Sequence, residues 1–277
     1  MISVLHLGTL DYATALDLQQ SLVELRKQGR ISDVLLLLEH PPVITLGRNA
    51  SQKNLLASCE HLQKRGVELF ESNRGGDITF HGPGQLVGYP IFDLRGFSPR
   101  IGAVEFVRRM EEVLIRTCCD LGVPSERIRG LTGVWTQNDD AKKIAAIGVH
   151  ISHGITSHGF ALNITTDLDY FRLIVPCGIS DRPVTSIAQE LEGKRPLPRM
   201  EEVAHAVSLN FGRAFSRQML WLESLDALLS TAAPQPHVHE NESTTIGVPM
   251  QPPKDLRDVR REQKAPQLGS EDEIFLA

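Results

Sequence analysis

"GVWTQNDDAKKIAAIGVHISHGITSHGFALNI", residues 133–164, is the stretch on which the fold class turns. It reads as three strands in series, with polar turns at Asn138 to Asp140 and at His153 to Gly154. Strands that follow one another without an intervening helix argue against a doubly wound parallel sheet, where the two alternate. Upstream, "IGAVEFVRRMEEVLIRTCCDLGVP" is a long amphipathic helix ending at Gly122 and Pro124. Downstream, helices are predicted near "TSIAQEL", across "RMEEVAHAVSLNFGRAF" and across "WLESLDALL". Toward the amino terminus, "DYATALDLQQSLVELRKQG" carries Ala15, Leu18, Leu22 and Leu25 at helical spacing, with Asp11 as cap and Gly29 as stop. "DVLLLLEHPPVITLGR" reads as a buried strand broken at Pro41 and Pro42 and resumed as a second, short one. A short helix containing Cys59 follows, then "VELFES", then "ITF" and "QLVGYPIFDL" around a glycine-rich turn. The expected class is α+β: a two-layer α/β arrangement in which a mixed sheet packs with helices.

The 277 residues, 41% hydrophobic and 23% charged, are enough for one large domain or two small ones. A formal charge of -5 without a Lys/Arg block in the body argues against nucleic acid as a partner. The first twenty residues lack a basic region and a small-residue cleavage site, and no apolar run reaches the roughly 18 residues of a membrane span. A cytoplasmic protein with no membrane partner is expected. The cysteines, Cys59, Cys118, Cys119 and Cys177, show no C-x-x-C spacing and are expected as reduced thiols. From residue 231 the text changes: Pro234, Pro236, Pro249, Pro252, Pro253 and Pro266 interrupt polar, charged sequence. The domain reading is therefore 1–230 as the folded unit and 231–277 as a Pro-rich charged tail, expected to be disordered.

Four features bear on chemistry. "RGGDITFHGPGQL" sets Gly75, Gly76, Gly82 and Gly84 around a short strand, a density that suits either tight turns or backbone passing close to a ligand. It is not a nucleotide loop, since no Lys-Ser/Thr follows and G-x-G-x-x-G spacing is absent. Lys143, in phase with Ile147, Val149 and Ile151, points to the apolar side of its strand. It is either a strand-edge lysine snorkelling to water or a partly desolvated amine beside an acidic group or a substrate. His150, His153 and His158 lack a carboxylate or cysteine at a matching offset, so strand and turn histidines are expected and no metal. Cys118 and Cys119 sit about 100° apart on the long helix and read as packing. Cys177, in "LIVPCGISDRP", lies between Pro176 and Gly178 in a turn whose N–H groups suit an oxyanion; it is either a small buried hydrophobe or a nucleophile.

Taken in order, "RGGDITFHGPGQLVGYPIFDL", "KKIAAIGVHI", "HGFALNI" and "PCGISDRPVTSI" resemble the lipoyl(octanoyl) transferases, the octanoyl-[acyl-carrier-protein]:protein N-octanoyltransferase family. The likeness runs from about residue 30 to 215, includes "LLLLEHPPVITLGR", and excludes the tail. It implies a fold like the catalytic domain of biotin and lipoate protein ligases, with an acyl pocket on a mixed sheet. It implies Cys177 as the acyl-thioester nucleophile and Lys143 as the amine that lowers the thiol pKa and moves protons. Substrate-binding positions carried over by the likeness are Arg74, Gly75, Gly76, Asp77, Ile78, Thr79, Phe80 and His81; Ala146, Ile147 and Gly148; and Gly159, Phe160 and Ala161.

The implied reaction takes octanoyl from the phosphopantetheine arm of acyl carrier protein onto Cys177. A lysine ε-amine on an apo lipoyl domain, of a 2-oxoacid dehydrogenase or of the glycine cleavage H protein, then receives it. No ATP, metal or other cofactor is implied. Rivals are a lipoyl-domain to lipoyl-domain octanoyl amidotransferase, an ATP-dependent lipoate-protein ligase, and a non-catalytic acyl-binding module.

Overall fold

A computed structural model describes residues 1–176, 182–230 and 273–276, the last without the side chains of Glu273 and Phe275. Strand β1 (Ile2–Thr9) leads into helix α1 (Tyr12–Lys27), then β2 (Asp33–Glu39), β3 (Val43–Leu46), α2 (Cys59–Lys64), β4 (Glu68–Glu71), β5 (Ile78–His81) and β6 (Gln85–Ile91). Helix α3 (Ala103–Asp120) follows, then β7 (Ser125–Ile128), β8 (Leu131–Thr136), β9 (Lys143–Ser152) and β10 (Ile155–Asn163). The chain goes on through α4 (Ile187–Leu191), α5 (Met200–Phe215), β11 (Met219–Trp221), α6 (Leu225–Ser230) and β12 (Glu273–Leu276).

Among the described residues these strands form two mixed sheets. The larger runs β11-β1-β2-β6-β10-β9-β8-β7, with β12 added to β9; the smaller runs β4-β3-β5. β1 pairs parallel with β2 and β11, whereas β2, β6, β10, β9, β8 and β7 pair antiparallel in turn. The strands in series therefore form meandering neighbours, and the α+β expectation holds.

β2 shows why its text is apolar throughout. Leu35 and Leu37 enter the core under α3 and α5 with Phe92, Phe106, Phe211 and Phe215. Val34, Leu36 and Leu38 enter the core under α1 with Ala15 and Leu22. With helices on both faces, period-2 alternation leaves no solvent side on which to place a polar residue. Pro41 and Pro42 then take the chain out of the large sheet, and β3 begins the small one, packed over Ile44, Ile78, Phe80 and Phe171.

The predicted α1 is capped as read: Asp11 accepts from Thr14 N–H at 2.8 Å, and Gly29 beyond the end has φ +68°. Helix α3 stops at Gly122, φ +90°, where the Val123 N–H donates back to Cys118 O. Cys118 is fully buried on it, and burial pushes its thiol up to about 12; Cys119 is exposed, so only the first of the pair packs.

The carboxy-terminal helix departs from expectation. Met219–Trp221 pairs parallel with Ile2–Val4, so helix begins only at Leu225 instead of spanning "WLESLDALL". Strand pairing outweighs a weak local propensity here. In the tail, Glu273–Leu276 is a strand on β9, where the sequence suggested disorder; residues 231–272 and Ala277 lie outside the described residues.

Candidate active site

Where the two sheets meet, a cavity of ≈ 520 Å³ opens between β5, β9 and β10. Its floor follows from cross-strand register: Ala146 pairs with Ala161, and Gly148 pairs with Gly159. A Cβ on Gly148 would come within 2.8 Å of Gly75 O, so the glycine is what lets the Arg74–Gly76 main chain lie directly over β9. Gly75 N–H donates to Val149 O at 3.0 Å and fixes that overlay. The neighbouring alanine pair keeps the surface shallow, with Ile147 and Phe160 alongside.

Strand period divides the contiguous motif. Thr79 and His81 line the cavity with Arg74, Gly76 and Asp77, whereas Ile78 and Phe80 point the other way into the small core. Gly75 is not on the wall either; its contact is with the main chain of Leu276. Arg74, 8% exposed, is held by Thr45: Nη2 donates to Thr45 O at 2.7 Å and Nε to Thr45 Oγ1 at 3.1 Å. The Asp77 carboxylate accepts from Ser51 N, Ile78 N and Asn54 Nδ2, which anchors the loop after β3 to the cavity rim.

Lys143 is buried, 7% exposed, and lines the cavity. It is not on the face the alternation predicted. Val134 pairs with Ala145 and Trp135 with Lys143, so a bulge at Ile144 inserts one residue and reverses the phase. Ala145, Ile147, Val149 and Ile151 face the core under α3, while Lys143 joins Ala146 and Gly148 on the cavity face. Its Nζ lies 4.9 Å from the Trp135 ring centroid, a cation–π contact. Gly133, φ +123°, makes room, since a Cβ there would sit 2.7 Å from Ala145 O and 3.5 Å from Lys143 Cε. The adjacent Lys142 turns away to Glu190, 3.6 Å distant.

Cys177 lies outside the described residues, with residues 178–181. The segments on both sides of it are fastened to the cavity. Val175 N–H donates to Asn54 O at 2.7 Å, beside Asp77. Beyond the gap, Lys143 N–H donates to Pro183 O and Thr185 N–H to Lys143 O, each at 2.9 Å. A buried relay braces that second anchor: His81 Nδ1–H donates to Gln85 Oε1, Gln85 Nε2 to Asn163 Oδ1, and Asn163 Nδ2 to Thr185 O.

Sequence reasoning missed a third wall. Tyr12 and Tyr89 line the cavity, and His40 sits between them, its centroid 5.3 Å from Tyr12 and 6.0 Å from Tyr89. Tyr89 O–H donates to His40 Nε2 at 2.7 Å, and His40 Nδ1–H to Leu10 O. His158 Nε2–H donates to Asn73 Oδ1, whose Nδ2 in turn donates to His150 Nδ1; His153 is exposed at the turn. Burial first, then neighbouring positive charge, pushes His81 and His158 down to about 3; burial pushes His40 to about 4. At neutral pH this wall is a set of uncharged imidazoles and phenols. The available signal was a buried-face tyrosine directly after a helix cap, which needs a polar partner.

The lipoyl protein ligase A/B catalytic domain profile matches residues 11–212. The octanoyltransferase of Koribacter versatilis is 66% identical over 231 residues, 83% of this chain and 91% of that one. That of Acidobacterium capsulatum is 60% identical over 84% of this chain and 98% of its own length. The chain belongs to the octanoyltransferase family, within the lipoyl protein ligase A/B catalytic-domain fold. It is an acyltransferase of the lipoyl-transferase type. A solved archaeal bipartite lipoate protein ligase from Thermoplasma acidophilum shares the fold at TM-score 0.64 and 17% identity, covering 83% of this chain and 90% of that one. A lipoate-protein ligase A structure bound with ATP does so at TM-score 0.63 and 17% identity, covering 81% and 89%. In this octanoyltransferase-family chain, among the described residues, no helix is long and apolar enough to cross a membrane.

Proposed function

We propose that this enzyme moves octanoyl from the phosphopantetheine thioester of acyl carrier protein to a lysine ε-amine of an apo lipoyl domain, in the cytoplasm, through an acyl thioester on Cys177. The supporting observation is Lys143: a buried ammonium on the cavity face, whose main chain pairs with the segment following Cys177 in sequence.

The steps balance without ATP or metal. The Cys177 thiolate, its charge balanced by the Lys143 ammonium, attacks the donor carbonyl. The donor C–S bond breaks, and the phosphopantetheine sulfur takes up a proton from Lys143, which is left as the neutral amine. The lysine of the lipoyl domain then attacks the acyl-enzyme; its surplus proton passes to Lys143, the new C–N bond forms and the Cys177–acyl bond breaks. The ≈ 520 Å³ cavity suits a medium-chain acyl group. At about 0.8 kcal/mol per methylene, an octanoyl tail gains about 5 kcal/mol on burial, which retains it while the carrier leaves. Candidate acceptors are the lipoyl domains of 2-oxoacid dehydrogenases and the glycine cleavage H protein.

The test offers the enzyme three donors with an apo lipoyl domain: octanoyl-acyl carrier protein, an octanoylated lipoyl domain, and octanoic acid with ATP. Octanoylation from the carrier protein alone is expected. Transfer from the second or third would make it an amidotransferase or a ligase, and binding without transfer from any would make it an acyl-binding module.

A further inference from the structure

We infer that the edge of β9 beside the cavity is a strand-docking site whose occupant is this chain's own C-terminal segment, Glu273–Leu276, and that the docked strand restricts access to the cavity.

The topology leaves that edge open. β8 pairs with β9 only at Lys143 and Ala145, while β10 takes the opposite edge along its length. Beyond Ala145, β8 no longer covers that side of β9, and a strand edge left by its neighbour recruits extended chain. β12 meets it antiparallel, with Glu273 opposite Ser152, Ile274 opposite Ile151, Phe275 opposite His150 and Leu276 opposite Val149.

An independent observation comes from the glycine motif. A Cβ on Gly75 would lie 2.3 Å from Leu276 O and 2.5 Å from Leu276 N, so the main chain of the strand occupies the space that the missing side chain leaves. Leu276 lines the cavity and packs on the core, whereas Ile274 is 47% exposed. The strand thus ends at the cavity wall. It also lies outside residues 11–212, the part of the chain matched to the shared catalytic domain, so this wall comes from beyond that domain.

A four-residue edge strand opens and closes at small free-energy cost. If it is docked nine-tenths of the time and bars the acyl chain, the apparent affinity for an acyl donor is about tenfold weaker than that of the open cavity. That consequence for turnover rests on the octanoyl-transfer reading; the docking itself does not.

Hydrogen exchange on the full chain, on Leu276→Asp and on a chain ending at Asp272 tests both parts. The amides of Val149–Ser152 that face β12 are expected to exchange about tenfold faster in both variants. A synthetic peptide of residues 268–277 restores protection to the shortened chain. In the same variants, half-maximal octanoylation is expected at about threefold or more lower donor concentration. Unchanged exchange in both variants overturns the docking, and faster exchange with unchanged or poorer half-saturation overturns the control of access. Should no form be octanoylated, the proposed function fails instead, and calorimetric titration with octanoic acid decides access: tighter binding in the variants supports it, equal or weaker binding overturns it.

Discussion

An ammonium held over an indole face, with uncharged imidazoles across the cavity, is a local arrangement that the sequence foreshadowed only in part. Lys143 was legible as an unusual residue, but strand phase put it on the wrong face. The bulge at Ile144 that corrects it depends on Gly133 in the neighbouring strand, a long-range fit that periodicity does not carry. Its removal has a defined outcome. Lys143→Ala retains the fold, because the contact it loses among the described residues is a cation–π interaction worth about 0.5–2 kcal/mol. Both acylation and release slow by about a hundred- to ten-thousand-fold, the range of a positioned proton carrier. Single-turnover kinetics with a thermal melt checks it, and normal rates would remove Lys143 from the mechanism.

Elements place these side chains through paired small residues and buried amides. The runs of strands, the long helices α1, α3 and α5 and the Pro41–Pro42 break were readable because their signals are local: alternation, capping and punctuation. β1, β7 and β11 were not: Ile2–Val4 and Met219–Trp221 pair across nearly the whole length of the chain, and β7 is a four-residue strand without a clear alternation. The site motif was legible as a contiguous string, whereas strand period sends Ile78 and Phe80 to the small core. Gly148→Val forces a side chain into Gly75 O; a loss of about 1–3 kcal/mol in denaturant unfolding is expected, together with loss of transfer. Asn163→Ala leaves the buried Thr185 carbonyl without its side-chain donor and costs about 1–3 kcal/mol. It also lowers turnover more than donor binding, because the bond braces the segment after Cys177; a kcat-against-KM comparison separates the two effects.

For the molecule as a whole, the buried imidazoles couple stability to pH. His81, His158 and His40 titrate near 3, 3 and 4 in the fold, against about 6.5 in the unfolded chain. Below pH 6.5 the unfolded state binds the extra protons, so stability falls with pH until the folded values are reached. Each imidazole contributes a loss of about 2 kcal/mol between pH 6.5 and 5, and urea midpoints should drop steeply across that window. His81→Gln should reduce the slope by about a third; an unchanged slope would show that His81 is protonated in the folded state. The most direct measurement of the central proposal is intact-mass spectrometry after mixing with octanoyl-acyl carrier protein. The wild-type chain is expected to gain one octanoyl group, removable by hydroxylamine, and Cys177→Ala to gain none. An unmodified wild-type chain that still transfers octanoyl, or an equal adduct on Cys177→Ala, would contradict a thioester at Cys177.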